Sequence, residues 1–128
     1  MGKTLNCISP IDGSVYASRE TLDLDAARAE VAAVRTAQKA WAARPLQERI
    51  DLVMAGVAAI GEMNDEIVPE LAHMMGRPVR FGGEFGGFSE RASHMAKIAA
   101  ESLADIEVGE DATFKRYIKR IPHGVVFV

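Results

Sequence analysis

The chain has one cysteine, Cys7, so it cannot form an internal disulfide. Only 6% of its residues are aromatic. Its apolar runs are far shorter than the roughly 20 residues that span a bilayer. The opening residues MGKTLN lack the apolar core of a secretory signal peptide. We therefore expect a cytoplasmic protein that has no membrane partner.

An excess of charge of one sign is also lacking. Fifteen Lys and Arg residues stand against 18 Asp and Glu, and the formal net charge is -3. Such a chain creates no strong field for nucleic acid or for an anionic membrane. With 128 residues, of which 48% are hydrophobic, it suits one globular domain or a piece of a larger one and argues against disorder.

Turn residues and apolar periodicity predict a hairpin followed by four helices. The turn Pro10-Ile11-Asp12-Gly13 predicts a hairpin between strands at 5–9 and 14–17. A helix should start at an Asp23 cap and end before Pro45, which then fits the first turn of the second helix. That helix should end at Gly61 or about Asn64. A third should cover 64–75 and stop at Gly76, and Pro69 kinks it if it lies past the first turn.

The remaining residues, 81–128, predict a glycine-rich segment, a fourth helix and then two strands. The glycine-rich segment 81–88 predicts a loop or a frayed helix, and 89–104 predict the fourth helix. Residues 108–111 predict a turn, 115–121 a strand and 125–128 a buried strand. An uncovered apolar strand promotes aggregation, so these elements favour a helical layer of a βα architecture whose sheet is missing.

The residues capable of chemistry form no recognised pattern. Cys7 lies in a predicted strand without a patterned base, so we interpret it as a half-buried packing residue. His73, His94 and His123 match no metal-ligand spacing, and we predict no metal site. The glycines of 82–87 fit neither common phosphate-loop pattern and are interpreted as a connection between helices.

A basic cluster near the carboxyl end has interleaved aromatic residues. It consists of Phe114, Lys115, Arg116, Tyr117, Lys119 and Arg120. A strand that binds single-stranded nucleic acid has this composition, and so does a strand with solvated charges. The negative net charge makes nucleic acid the weaker interpretation.

Several short motifs follow one another at a characteristic spacing. They are Ser9-Pro10-x-Asp12-Gly13, the stretch Asp23 to Ala27, the pattern Trp41-x-x-x-Pro45-x-x-x-Arg49, Met74 to Pro78, Gly83-Glu84, and Pro122 to Val126. In order and spacing they resemble the N-terminal segment of the NAD(P)-dependent aldehyde dehydrogenase superfamily. The departures, such as Met74 for the family's usual glutamate, concern the subfamily and its specificity.

The resemblance implies an enzyme that oxidises an aldehyde to a carboxylic acid with NAD or NADP. In that family a cysteine thiolate forms a thiohemiacetal, hydride passes to the cofactor, and a glutamate activates water to hydrolyse the thioester. The resemblance places the nucleophile, the glutamate, the oxyanion-binding asparagine and the dinucleotide-binding turns after Val128. We therefore assign no catalytic and no cofactor-binding residue here, and we expect the chain alone to be inactive.

The resemblance also implies a fold and two functional surfaces. The parent would be an α/β protein with a Rossmann-type cofactor domain. Residues 1–114 would form its N-terminal hairpin and helical layer, 115–122 a strand toward an oligomerisation sheet, and 123–128 the start of the first dinucleotide-fold strand. Phe88, Arg91 and Met95 would lie at the mouth of the substrate tunnel. A homodimer or homotetramer interface would contain Lys115, Tyr117 and Lys119.

The alternative is a non-catalytic helical scaffold or interaction module derived from that family. A soluble, cooperatively folded monomer would support this alternative. A chain of poor stability that associates would count against it.

Overall fold

The computed structural model describes residues 2–126, and Met1, Phe127 and Val128 lie outside that range. An antiparallel hairpin comes first, followed by four helices and a second antiparallel hairpin. In chain order the elements are β1 (Thr4–Ile8), β2 (Val15–Glu20), α1 (Leu24–Ala43), α2 (Leu46–Glu62), α3 (Asn64–Met75), a 3₁₀ turn (Val79–Phe81), α4 (Phe85–Leu103), β3 (Ile106–Glu110) and β4 (Lys115–Ile118). The expected mostly helical chain with terminal strands is confirmed.

The tip of the first hairpin is held by local hydrogen bonds and rests on the end of α3. Ser9 is fully buried, and its main-chain N–H donates to the carbonyl oxygen of Ser14 at 2.8 Å. The carboxylate of Asp12 accepts from the Ser14 N–H at 3.0 Å. The Pro10 ring lies so close to Gly76 that a Cβ on that glycine would be 3.2 Å from the proline Cγ. The hairpin tip is thereby fixed to α3.

Helix α1 begins and ends where the sequence predicts. The Asp23 carboxylate accepts a hydrogen bond from the Ala26 N–H at 3.0 Å, as a helix cap does. Arg44 is extended, with ψ 145°, because the residue before Pro45 avoids helical geometry. The helix has the predicted apolar stripe but no buried residue. Exposed positions on that stripe are Leu24, Val31, Val34 and Trp41.

Helices α2 and α3 supply the buried apolar residues. Val57 of α2 is 5% exposed and Ala72 of α3 is 9% exposed. The predicted start of α2 needs correction, whereas its end, Glu62, falls between the two predicted positions, Gly61 and about Asn64. Pro45 caps the helix instead of lying in its first turn, since its ψ of 145° is extended, and the helix continues through Gly61 to Glu62.

Helix α3 covers the predicted residues and continues through Pro69, which lies past the first turn. It stops at Gly76, whose φ of 76° lies in the left-handed region that glycine adopts without strain. The Gly76 N–H donates to the carbonyl oxygen of Ala72 at 2.9 Å. The predicted glycine stop is therefore confirmed.

The predicted start of α4 is wrong, because the helix begins at Phe85 and not at Ser89, within the segment predicted as a loop or a frayed helix. Glycines are poor helix formers, so local propensity alone favours a loop here. The Phe85 ring lies directly over Gly61 of α2, and a Cβ on that glycine would be 2.5 Å from the phenylalanine Cζ. Packing against α2 thus stabilises a helical turn that its own residues disfavour.

The predicted turn at 108–111 is also wrong, because 106–110 form β3. The register between the two strands shifts between Glu107 and Gly109, so an irregularity accommodates the glycine within the strand. The turn lies after β3, where the Asp111 carboxylate accepts from the N–H groups of Thr113 and Phe114 at 2.9 and 2.8 Å. The strand predicted over 115–121 ends earlier, at Ile118.

The predicted strand over 125–128 falls partly on Phe127 and Val128, outside the described residues. Val125 and Val126 belong to no strand in the part of the chain that the structure describes. They lie beside α1, where they border the same surface depression as Val34 and Trp41.

The substitution Gly61→Ala is expected to destabilise the chain by about 1–3 kcal/mol, because the new methyl group would overlap the Phe85 ring. The matched control is Gly56→Ala in the same helix, where a Cβ meets no atom within 4 Å. That control should stabilise by roughly 0.5–1 kcal/mol, the ordinary helical preference for alanine. Urea unfolding followed by circular dichroism measures both free energies. Equal effects would contradict the contact between Gly61 and Phe85.

Candidate functional site

The predicted tunnel-mouth residues share one exposed face of α4. Phe88, Arg91 and Met95 are three and four residues apart, a spacing that places side chains on the same side of a helix. All three are exposed, with Phe88 at 43% and Met95 at 55%. The structure therefore brings together the three residues that the sequence proposed.

A shallow apolar groove continues from this face toward α2. Its volume is about 290 Å³, and Met95 forms part of its wall. The other residues around it are Trp41, Arg49, Ile50, Val53, Ala92, Ala96 and Ala99. The groove therefore lies between α2 and α4, with the Trp41 ring of α1 beside it.

Arg77 fixes the connection that leads into α4. Its Nε donates to the carbonyl oxygen of Gly82 at 3.1 Å, and its guanidinium forms an ion pair with Glu84. Arg80 lies over the Phe81 ring at 4.8 Å from the centroid. Both arginines thus have partners within the connection. These contacts orient the first turn of α4 and, with it, Phe88.

The second hairpin, β3 with β4, is exposed along both strands, and we call it the arm. Two isolated strands are marginally stable in water without further packing. Several of the arm's exposed side chains are nevertheless apolar or aromatic: Ile106, Val108, Phe114, Tyr117 and Ile118. Exposed apolar surface of this kind is typical of a contact with another layer or subunit.

Most of the basic charge on the arm is paired within it. Lys115 Nζ lies 2.6 Å from Glu107 Oε1, and the Arg116 guanidinium lies 2.7 Å from Asp111 Oδ2. The hydrogen bond from Lys115 lowers the pKa of Glu107, and the same contact raises the pKa of Lys115. The hydrogen bond from Arg116 is the main cause of a lowered pKa at Asp111. Charges that are neutralised in this way leave little for a nucleic-acid backbone.

The predicted interface residues differ in their positions on the arm. Lys115 and Tyr117 are two residues apart on β4, so they point to the same side of the hairpin. Tyr117 is half exposed and stands opposite Glu107 of β3. Lys119 is exposed and follows the end of β4.

The whole sequence, residues 1–128, matches the profile of the aldehyde dehydrogenase family. The chain belongs to that family. Solved structures with the same fold agree with the motifs in pointing to an N-terminal segment of the superfamily.

Three of those structures share 20–24% sequence identity with the chain, a level that speaks for the fold alone. An NAD-dependent benzaldehyde dehydrogenase from Corynebacterium glutamicum is 21% identical over 87% of the chain, with a TM-score of 0.76. A 3,6-anhydro-L-galactose dehydrogenase in complex with NAP is 20% identical over 88%, with a TM-score of 0.73. PnpE in complex with nicotinamide adenine dinucleotide is 24% identical over 90%, also with a TM-score of 0.73. The chain spans 24% of the length of each.

In this aldehyde dehydrogenase segment the cysteine and the histidines lie apart in different surroundings. Cys7 is half-buried and its Sγ lies 3.9 Å from the carbonyl oxygen of Met74, at the contact between β1 and α3. The His73 ring stacks on Tyr16 with centroids 4.8 Å apart. His94 is exposed on α4. Among residues 2–126, no group of three or more His, Cys, Asp or Glu is placed to hold a metal ion.

Sequence reasoning missed a second cavity in the segment. Arg49 of α2 borders it together with Arg120 and His123, which follow β4. In the sequence, Arg49 stands out only as the last residue of the pattern Trp41-x-x-x-Pro45-x-x-x-Arg49. No spacing rule could link residues so far apart in the chain. They meet only because the segment after β4 folds back beside α2.

No helix in residues 2–126 has the length and apolar character needed to cross a membrane.

The arm is expected to lose stability in acid. Because the pKa values of Glu107 and Asp111 are lowered by folding, the stability that they contribute is present above the unfolded pKa and is lost as pH falls through the folded pKa. Hydrogen exchange at the amides of Thr113 and Phe114 should therefore accelerate below about pH 4. The raised pKa of Lys115 has the opposite sign, so its contribution disappears at strongly alkaline pH.

The variant Asp111→Asn tests that expectation, since it removes the titrating carboxyl group. Exchange at the turn should become nearly independent of pH in the acid range, after correction for the intrinsic rate. The control is Asp25→Asn on α1, an exposed aspartate near Arg28. If the acid effect survived in Asp111→Asn, the assignment to this carboxylate would be wrong.

Proposed function

We propose that the chain is the N-terminal part of an enzyme that oxidises an aldehyde to a carboxylic acid with NAD⁺ or NADP⁺. The match of residues 1–128 to the aldehyde dehydrogenase family carries this proposal. The fold of an NAD-dependent benzaldehyde dehydrogenase supports it, and an aromatic aldehyde is therefore the first substrate to try. The chemistry would proceed through a thiohemiacetal and a thioester on a cysteine outside this chain.

The glycine-rich segment 81–88 does not have the arrangement of a phosphate-binding loop. A phosphate-binding glycine loop follows a strand and opens a helix, so that main-chain N–H groups point at the phosphates. Here the glycine-rich segment follows a 3₁₀ turn, and Gly86 and Gly87 lie inside α4. We therefore assign the cofactor contacts, like the nucleophile and the general base, to residues outside the chain and derive no hydride step from it.

We assign residues 1–114 to a helical layer that supports the cofactor domain, and 123–128 to the first strand of that domain. The exposed apolar stripe of α1 fits this role, since such a stripe packs on another layer. Val125 and Val126 already lie beside this stripe. This arrangement would use apolar surface that is otherwise exposed to water.

We assign Phe88, Arg91 and Met95 to the mouth of the substrate tunnel. The two apolar side chains would contact the body of the aldehyde, and Arg91 would remain at the rim because its charge favours water. The Arg77 contacts with Gly82 and Glu84 would hold this face in place by fixing the start of α4.

We assign residues 115–122, which include β4 of the arm, to subunit contacts in a homodimer or homotetramer. An exposed two-stranded ribbon gains stability when an edge or a face is covered by a partner. Lys115, Tyr117 and Lys119 would then contact the partner subunit, and the enzyme would work in the cytoplasm.

The experiment combines the intact mass of the purified protein with turnover of benzaldehyde, followed by the absorbance of the reduced cofactor. A polypeptide about four times longer than this chain, active with NAD⁺ or NADP⁺, is expected. A polypeptide of only this length that neither turns over aldehyde nor binds either cofactor would favour a non-catalytic scaffold derived from the family. Turnover by the short chain itself would overturn the assignment of the chemistry to other residues.

In the active enzyme, Phe88→Ala and Met95→Ala are expected to raise the KM for benzaldehyde about 5- to 10-fold, because each removes apolar contact with the substrate. The KM for the cofactor should stay unchanged. Arg28→Met, an exposed position on α1, is the control. Unchanged KM values in both α4 variants would remove these residues from the tunnel mouth.

The double variant Tyr117→Asp with Lys119→Glu is expected to shift the enzyme to smaller species in sedimentation velocity, because it places negative charge on a contact surface. Lys39→Glu, exposed on α1, is the matched charge control. An unaltered assembly in the double variant would contradict a role of the arm in subunit contacts.

A further inference from the structure

Three separate parts of the chain meet at one basic cavity of about 460 Å³. Arg49 comes from α2, Leu103 from the end of α4, and the third side is the segment after β4. That segment contributes Arg120, Ile121, Pro122 and His123. We call this space the basic cavity.

Among residues 2–126, no acidic residue borders the basic cavity. Its polar groups are two arginines and a histidine. The guanidinium of Arg120 donates to the main-chain carbonyl oxygen of Ser102, which carries no charge. Asp105 accepts only from the main-chain N–H of Arg120, at 3.3 Å, and does not border the cavity. The arginine charges at this wall are therefore not balanced by a carboxylate of the wall itself.

Arg49 has a donor that is buried and unused. Its Nε is shielded from solvent and has no hydrogen-bond acceptor within the described residues. Buried N–H groups almost always have a partner, because an unpaired one loses its water without compensation. The guanidinium of Arg49, which borders the cavity, is therefore not fully satisfied by the described residues.

The remaining residues of the lining are apolar, namely Leu103, Ile121 and Pro122. A bare inorganic anion would leave these apolar groups uncovered. A planar carboxylate matches the fork of an arginine, and the cavity volume lies in the range typical of small-molecule sites, about 300–1,000 Å³.

We propose that the basic cavity binds a small organic acid. Its carboxylate would accept from Arg49 and Arg120, with His123 at the rim, and its apolar body would contact Leu103 and Pro122. The proposal stands apart from aldehyde oxidation, since none of these residues belongs to the predicted tunnel mouth.

The test is a titration of the ¹⁵N-labelled chain with sodium benzoate, followed by the side-chain Nε–H resonance of Arg49. We expect a saturable shift of this resonance. Benzamide, which has the same shape without the charge, should bind at least about tenfold more weakly, because charged hydrogen bonds are the stronger ones. Inorganic phosphate should also bind more weakly, since it has no apolar body.

Variants tie the binding to the basic cavity. Arg49→Met keeps the volume and should weaken benzoate binding at least about tenfold, whereas Arg28→Met on α1 should leave it unchanged. His123→Gln, at an exposed position, tests the cavity without disturbing α2. It should weaken binding by a few fold even if Arg49→Met fails to fold.

Three results would overturn the proposal. One is the absence of a saturable benzoate shift at Arg49. Another is equal affinity for benzoate and benzamide, which would mean that the charge plays no part. A third is phosphate binding that equals or exceeds benzoate binding, which would indicate a simple anion site without a role for the apolar wall.

Discussion

Helix α4 approaches α2 at Gly61, where only a hydrogen atom fits beneath the Phe85 ring. This contact sets where α4 begins, and a second close approach, between Gly83 and Asn64 of α3, sets how the preceding connection reaches it. Because a helix transmits the orientation of its first turn along its length, the same contact decides where Phe88 and Met95 point. The candidate substrate face therefore depends on a glycine in another helix.

The apolar residues of the chain outnumber the positions that bury them. Nearly half of the sequence is hydrophobic, yet α1 and α4 contain no buried residue. Domains are built from layers that cover one another, and these helices have the faces of one layer. Relatives of the same fold are about four times as long as this chain. A covering layer from the rest of such a protein would account for the exposed stripe of α1.

The basic side chains of the arm have carboxylate partners, whereas those of the basic cavity have none within residues 2–126. On the arm, Lys115 and Arg116 have carboxylate partners within the same hairpin, so their charges mainly stabilise its register. Exposed pairs of this kind contribute little free energy. Arg49, at the basic cavity, has a buried Nε that meets no hydrogen-bond acceptor in the part of the chain that the structure describes. An anionic ligand would therefore find more unpaired positive charge at the basic cavity than on the basic strand β4.

The sequence by itself determined the elements whose causes are local. Asp23 begins α1, the residue before Pro45 ends it, and Gly76 ends α3, because caps and φ preferences act within a few residues. The order of short motifs also identified the family. Tertiary structure decided what depends on distant partners: the helical turn at Phe85, strand β3 in place of a turn, and the meeting of Arg49 with Arg120 and His123. In each case a contact between residues far apart in the chain outweighs or adds to a local preference, and no periodicity encodes such a contact.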